Sequence, residues 1–435
     1  MSQKISTTFF LFLWGTLGWT SYFAQTSQPV KQDFVCSLPQ NKTELQNRRL
    51  KLIENLPPKS IFFLVRRPND SEYFLPDKHF FYLSGTTDAD LVMILLSAPN
   101  SSEHLFLPKQ DSYQEIWNGK KLYPGEEASQ LTGFASTMPF GDIQESFVLF
   151  LASLLTLPLT NVYYSPPEEK REELPVDRLI QDFIRVRHLK QQDTHTLVSQ
   201  ARLVKSDSEI ELLRQAINIT GEGLKETMRF AQSGHHEYEL RAMIEYHFMK
   251  GGARRPGFDS IVGSGPNSCI LHYVFGQRKT QEGDLVVLDV GAEFQEYTAD
   301  VTRTIPINGK FSPRQKEIYQ LVLEAQKQAI AIIKPGIPFR QVDQTARDFI
   351  NKAGYGDYFI HGTSHWLGLN VHDVGDYHSI LAPGMVLTVE PGIYLPEENL
   401  GVRIEDDVLV TAEGCIVLSG HIPREIDTIE SLMAE

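Results

Sequence analysis

Two patterns of apolar positions divide the chain. From about residue 40 to 190, short apolar runs ("SIFFLVRR", "HFFYLSG", "DLVMILLSAP", "EHLFLPK") stand between clusters of Pro, Asn, Asp and Ser and predict strands. Between and after them, "DSYQEIWNGKK", "DIQESFVLFLASLLTL" and "VDRLIQDFIRVRHLK" predict helices, so residues 36–192 read as a smaller α/β domain. The polar stretch "KQQDTHTLVSQARLVKSD" then leads to a clear helix start, with Ser206 and Glu209 at capping-box spacing. Ile210, Leu213, Ile217, Thr220, Leu224 and Met228 follow at steps of three or four, one face of a helix. Further helices are predicted from Glu237 to Lys250, stopped by Gly251-Gly252, from Ser312-Pro313 to Lys334, and from Phe339 to Ala353. Hairpin-like strands at 284–306 and 385–419 complete a second domain over residues 200–430, α+β in class.

One hairpin breaks its own pattern. "LVVLDVGAEFQEYTADVTRT", residues 285–304, carries Asp289 and Asp300 within apolar strands, where aspartate is depleted. A turn at Phe294-Gln295 places Asp289 directly opposite Asp300, with Cβ atoms about 5 Å apart. Carboxylates that close repel, so either one is protonated or a cation lies between them. A slipped register, or both side chains facing water, is the alternative that this stretch leaves open.

Other stretches add chemistry. "HGTSHWLGLNVHDVG" holds His361, His365 and His372 among glycines, which argues for loop and against the H-E-x-x-H helix of a zinc protease. Glu390 ends an apolar strand before a Pro-Gly turn, Glu405 stands in "GVRIEDDVLV" beside Arg403, and His272 lies in "NSCILHY". Singly, each has an ordinary structural reading. A carboxylate among Ile and Val neighbours, however, tends to be buried and then needs a partner. Two Asp, two Glu and one His together make a hard, oxygen-rich set suited to Mn²⁺, Co²⁺ or Zn²⁺, and bridging carboxylates suit a pair of ions.

Charge and composition narrow the partners. The 435 residues carry 41 Lys+Arg against 55 Asp+Glu, a net −14 that argues against nucleic acid or an anionic membrane surface. At the N-terminus, Lys4 precedes an apolar stretch from Phe9 to about Trp19 and then Ala24, the layout of a signal peptide over residues 1–24. An exported protein, periplasmic or secreted, with no membrane span after processing is expected. Cys36, Cys269 and Cys415 allow at most one disulfide, and spacing does not say which.

The order Asp289, Asp300, His365, Glu390, Glu405 resembles the pita-bread metallopeptidases, which include methionine aminopeptidase, prolidase and aminopeptidase P. "HGTSHWLGLNVHDVG", "VLTVEPGIY" and "GVRIEDDVLV" look most like aminopeptidase P, while "HFFYLSGTTDADLVMIL" and "EIWNGKKLYPGEEA" resemble its N-terminal domain more loosely. The resemblance implies a C-terminal pita-bread (creatinase/aminopeptidase) fold and two divalent ions, Mn²⁺ first among candidates. Asp289, Asp300, His365, Glu390 and Glu405 would be the ligands, with Asp300 and Glu405 bridging. Glu390 would be general base for a water held by the ions, His272, His361 and His372 would bind the carbonyl and its oxyanion, and Arg403 would support them. The expected substrates are peptides with Xaa-Pro N-termini, and relatives suggest a homo-dimer or tetramer. Prolidase, which cleaves Xaa-Pro dipeptides alone, shares the five ligands and is the alternative. A metal-free binding module is the reading from another class, which the retained ligand types oppose.

Overall fold

The computed structural model describes residues 41–66, 77–97, 101–139, 145–167 and 173–435. The N-terminal apolar stretch and Cys36 lie outside the described residues.

The first half is built on a mixed sheet. Its strands are β1 (Ser60–Arg66), β2 (Leu91–Leu96), β3 (Ser102–Leu107), β4 (Ser136–Pro139), β5 (Asn161–Tyr163) and β6 (Lys190–Gln192), in the order β4-β3-β2-β1-β5-β6. β1 and β2 are buried along their whole length, which is why they read as continuous apolar runs without alternation. Ile61, Phe63, Val92 and Ile94 face one core, under Phe147, Ile180 and Phe183. Phe62, Leu64, Met93 and Leu95 face a second core, which continues into the C-terminal half through Leu213, Ile217 and Leu288. Helices α1 (Lys42–Asn55), α2 (Lys78–Ser84), α3 (Ser112–Asn118), α4 (Glu126–Thr132), α5 (Glu145–Ser153), α6 (Pro175–Arg187) and α7 (Thr194–Leu203) accompany this sheet.

Two expectations are corrected here. "HFFYLSG", predicted as a strand, is the helix α2. Phe80, Phe81, Tyr82 and Leu83 are all buried, so no period marks the helix, and its ends carry the signal. Asp77 caps the start by accepting from His79 N and Phe80 N, and Gly85 closes it at φ 74°. Likewise the polar connection contains α7, capped by Asp193.

From residue 207 the predicted helices form closely as read: α8 (Asp207–Phe230), α9 (Glu237–Lys250), α10 (Pro313–Ala331) and α11 (Phe339–Lys352), with a short α12 (Ile426–Leu432) at the end. The capping boxes at Ser206/Glu209 and Ser312/Gln315 are both formed. Between these helices lie small antiparallel sheets. β8 (Ile261–Ser264), β9 (Leu285–Val290) and β12 (Val301–Pro306) form one, and β7 (Arg255–Pro256), β10 (Ala292–Phe294) and β11 (Tyr297–Thr298) another. β13 (Val386–Val389), β16 (Asp406–Val410) and β17 (Cys415–Val417) form a third, and β14 (Gly392–Leu395) pairs with β15 (Leu400–Arg403). Cys269 and Cys415 are free thiols. Among the described residues no helix is long and apolar enough to cross a membrane.

Candidate active site

The hairpin that posed the question folds one residue away from the expected register. Phe294 pairs with Tyr297 and Glu293 with Thr298, so the turn is Gln295-Glu296, both at positive φ (48° and 73°) as a two-residue hairpin loop requires. Beyond a break at Gly291, Val290 pairs with Val301 and Asp289 with Thr302. Asp289 therefore does not face Asp300 directly. Moving the turn by one residue moves every partner by two, which preserves the face, so the two aspartates remain diagonal neighbours on one side. Gly291 is needed at the break, because a Cβ there would lie 1.7 Å from the Ala299 carbonyl oxygen.

Strand ends bring the other acids to this point. His365 precedes Trp366, which bridges to Leu387 of β13, while Glu390 follows β13 directly and Glu405 sits between β15 and β16. His365 Nε2 lies 3.3 Å from Asp300 Oδ2, 3.4 Å from Glu390 Oε1 and 4.0 Å from Glu405 Oε1. Its Nδ1 contacts the Trp366 carbonyl at 3.1 Å, an acceptor only, so Nδ1 carries the proton and Nε2 offers its lone pair to the acids. Thr302 Oγ1 donates to Glu405 Oε2 at 2.7 Å.

All nine residues singled out in the sequence line one cleft of about 840 Å³. Its remaining wall joins apolar side chains, including Phe258, Ile261, Val274 and Val371, with polar ones such as Arg340, Asp343 and Gln344.

The acids of this cleft are only partly compensated, with Arg403 paired to Asp289 at 2.6 Å. Burial first, then the neighbouring Asp289, pushes the Asp300 carboxyl well above the usual carboxylate range. Glu405 is raised by burial and then by Asp300. Burial lifts Glu390 to about 7, against the opposing pull of His365 and Arg403. Asp289 Oδ1, Asp300 Oδ1 and Glu405 Oε1 are buried without a hydrogen-bond donor among the described residues. Buried polar atoms are normally paired, and a cation is a partner that these oxygens could share. Oxygen atoms of Asp300 and Glu405 and a nitrogen of His365 lie within 4.8 Å of one another, close enough to share one cation. Orphaned oxygens, hard donors and one oriented imidazole fit a divalent metal centre.

The histidines divide by partner. His361 Nδ1 donates to its own loop, to the Gly362 carbonyl at 2.9 Å, and its Nε2 accepts from Tyr394 Oη at 2.8 Å. Tyr394 Oη in turn accepts from Arg403 Nη1 at 2.9 Å, while Arg403 Nη2 donates to Asp289 Oδ2 at 2.6 Å. Burial and the Arg403 charge hold His361 at a pKa of about 4. His372 stacks on His365 with ring centroids 4.1 Å apart, and desolvation with that neighbour lowers it to about 4. His272 and His372 line the cleft and have no hydrogen bond among the described residues.

Comparison with known proteins now decides the family. Residues 211–412 match the family model of metallopeptidase family M24, and residues 45–155 match that of the aminopeptidase P N-terminal domain. The Xaa-Pro aminopeptidase of Haemophilus influenzae is 36% identical over 437 residues, covering 92% of this chain and 99% of that protein. This chain belongs to the aminopeptidase P group of family M24. Proline aminopeptidase P II from Yersinia pestis superposes at a TM-score of 0.80 with 33% identity, covering 91% of this chain and 100% of that one. The Xaa-Pro dipeptidase of Pyrococcus horikoshii is 32% identical, over 85% of this chain and 96% of that protein.

Sequence reading passed over two side chains that hold residues of this cleft. Thr302 grips Glu405, and Tyr394 joins Arg403 to His361. The signal for Tyr394 was present. Gly392 pairs with Arg403 and Gly401 with Tyr394, and it is Gly392 that leaves room for the Tyr394 ring. A Cβ on Gly392 would stand 2.5 Å from Tyr394 Oη.

Proposed function

We propose that this M24 peptidase removes the N-terminal residue from peptides whose second residue is proline, including substrates longer than two residues. The observation that carries the reading is a single cleft that gathers buried carboxylate oxygens with no donor among the described residues, an oriented imidazole and further histidines, in a chain similar along nearly its whole length to a Xaa-Pro aminopeptidase. Asp289, Asp300, His365, Glu390 and Glu405 would hold two divalent ions, Mn²⁺ foremost, with Asp300 and Glu405 shared. Such ions acidify bound water and offset charge building on the scissile carbonyl oxygen.

The chain's own residues do the rest. Glu390 would accept a proton from the attacking water and pass it to the departing proline nitrogen. His272 and His372 donate N–H groups to the carbonyl oxygen as it becomes an oxyanion, and a pKa near 4 keeps His372 a neutral donor at physiological pH. His361 is held through Tyr394 and Arg403 against the side of Asp289 and shapes the wall on which the substrate lies. Proline has no amide N–H to satisfy, so an apolar wall of Phe258, Ile261, Val274 and Val371 can receive its ring.

Product analysis on an Xaa-Pro dipeptide, an Xaa-Pro tripeptide, a longer Xaa-Pro peptide and a proline-free control tests this. Release of the first residue from all the proline substrates is expected. Cleavage of the dipeptide alone assigns the chain instead to the dipeptidase activity named for its Pyrococcus horikoshii relative.

Export is proposed with it. The apolar stretch after Lys4, followed by Ala24, supports removal of the first ~24 residues as a leader. N-terminal sequencing of native protein is expected to start near Gln25, and an intact Met1 on cytoplasmic protein would refute export.

A further inference from the structure

α10 packs an apolar face of Val322, Leu323, Ala325, Ala329 and Ile330 into the core, and one polar residue, Gln326, stands in the middle of that face, fully buried. A buried amide without partners is costly, so its contacts define its role. Gln326 Nε2 donates to two carbonyl oxygens, Val389 O at 3.1 Å and Ile404 O at 3.1 Å. Its Oε1 accepts from Arg424 Nη1 at 3.2 Å, which sets the orientation of the amide.

Both carbonyls belong to the peptide unit that immediately precedes a carboxylate of the metal centre. Val389 O is in the unit joined to Glu390, and Ile404 O in the unit joined to Glu405. The other end of each unit is also held: Glu390 N donates to Thr363 O at 2.8 Å, and Glu405 N to Thr302 O at 3.1 Å. A planar peptide unit fixed at both ends cannot swing about the chain. One amide group is thus shared between two ligand-bearing segments that come from different sheets, the end of β13 and the end of β15. Only a group with two hydrogens on one nitrogen and an acceptor beside it makes all three contacts, and glutamate or an aliphatic residue of the same length does not.

We propose that Gln326 is a positioning residue that sets the separation of the Glu390 and Glu405 carboxylates and so the affinity and geometry of the metal pair. The proposal rests on the metal centre described above and adds a residue outside the cleft to it.

The test measures Mn²⁺ binding by the full-length protein and by Gln326→Met, through elemental analysis, competition with a chelator, and melting with and without Mn²⁺. Mn²⁺ affinity is expected to fall by about 10–100-fold, the range for residues that orient ligands without binding metal. The rise in melting temperature on adding Mn²⁺ is expected to shrink, with kcat lowered and KM little changed. A merely structural glutamine lowers the melting temperatures with and without Mn²⁺ equally and leaves affinity unchanged, and that result overturns the proposal. If Gln326→Met does not fold, Gln326→Asn, too short to reach both carbonyls, is read by the same criteria. A wild-type protein that binds no Mn²⁺ overturns the metal reading and this proposal together, whereas wild-type binding with unaffected variants overturns this one alone.

Discussion

Glu405 and Asp406 are neighbours in the chain, both buried (1% and 0% exposed), and they meet opposite fates. Asp406 points to a side crowded with donors. Arg303 Nη2 reaches it at 2.8 Å, Ser419 Oγ donates at 2.6 Å, and Arg424 closes on the second oxygen. Its desolvation is outweighed by those two cations, and its pKa is lowered. Glu405 points to the cleft, keeps one oxygen without a donor and has its pKa raised by burial and by Asp300. Burial alone does not distinguish structure from function. A buried carboxylate with its cations present is part of the scaffold, and one whose cations are missing from the chain is a socket for an external one.

The largest effect expected follows from removing a socket acid. Asp300→Asn should lose both ions and lower kcat/KM by more than about 10³-fold, since metal charge stabilisation supplies several kcal/mol. Elemental analysis showing full occupancy in this variant would break the assignment of Asp300 as a shared ligand. On the scaffold side, Asp406→Ala leaves Arg303 buried without its carboxylate and should destabilise the fold by about 3–5 kcal/mol in denaturant unfolding. The comparison sharpens if this folded variant still binds Mn²⁺ when the metal is in excess, and it breaks if Asp406→Ala behaves like Asp300→Asn.

Next in size, His372→Ala should lower kcat by about 10²-fold with little change in KM, as an oxyanion contact made mainly in the transition state does. A rise in KM with kcat intact would make His372 a binding residue only. The smallest effect separates the two sides by pH. Glu390 has a raised pKa, so the metal-free folded state holds its proton more tightly than the unfolded chain does. The associated stability is full below the unfolded value near 4.5 and falls away as pH rises through about 7. Metal-free Glu390→Gln should therefore melt higher than metal-free wild type at pH 8 and not at pH 4. For Asp406 the sign is reversed: its lowered pKa contributes stability above the ordinary carboxylate range that is lost as pH falls through the folded value. Circular dichroism melts across pH check both directions.

Much of this was legible in the chain. The capping box at Ser206, the Ser312-Pro313 start, the glycine stops and the helical periods of the C-terminal half are local signals, and local hydrogen bonding formed those helices where the pattern placed them. α2 escaped because Phe80 to Ser84 are five successive buried residues, and such a run has no period to read. The residue types of the site were legible too, since an acid inside an apolar strand contradicts its surroundings wherever it occurs. What the chain alone could not settle was which acids would meet. The hairpin register turned on whether Phe294-Gln295 or Gln295-Glu296 made the turn, a choice of backbone φ that the strands' apolar pattern leaves open because both alternatives keep the same face. The divergence of Glu405 from Asp406, the Tyr394–Arg403–Asp289 chain and the reach of Gln326 to two strand ends depend on contacts between residues 9 to 114 positions apart. Those contacts exist only once the helices and sheets have packed, so the sequence by itself determined which chemistry the protein carries, and the tertiary structure decided which carboxylates are satisfied and which are left for a metal.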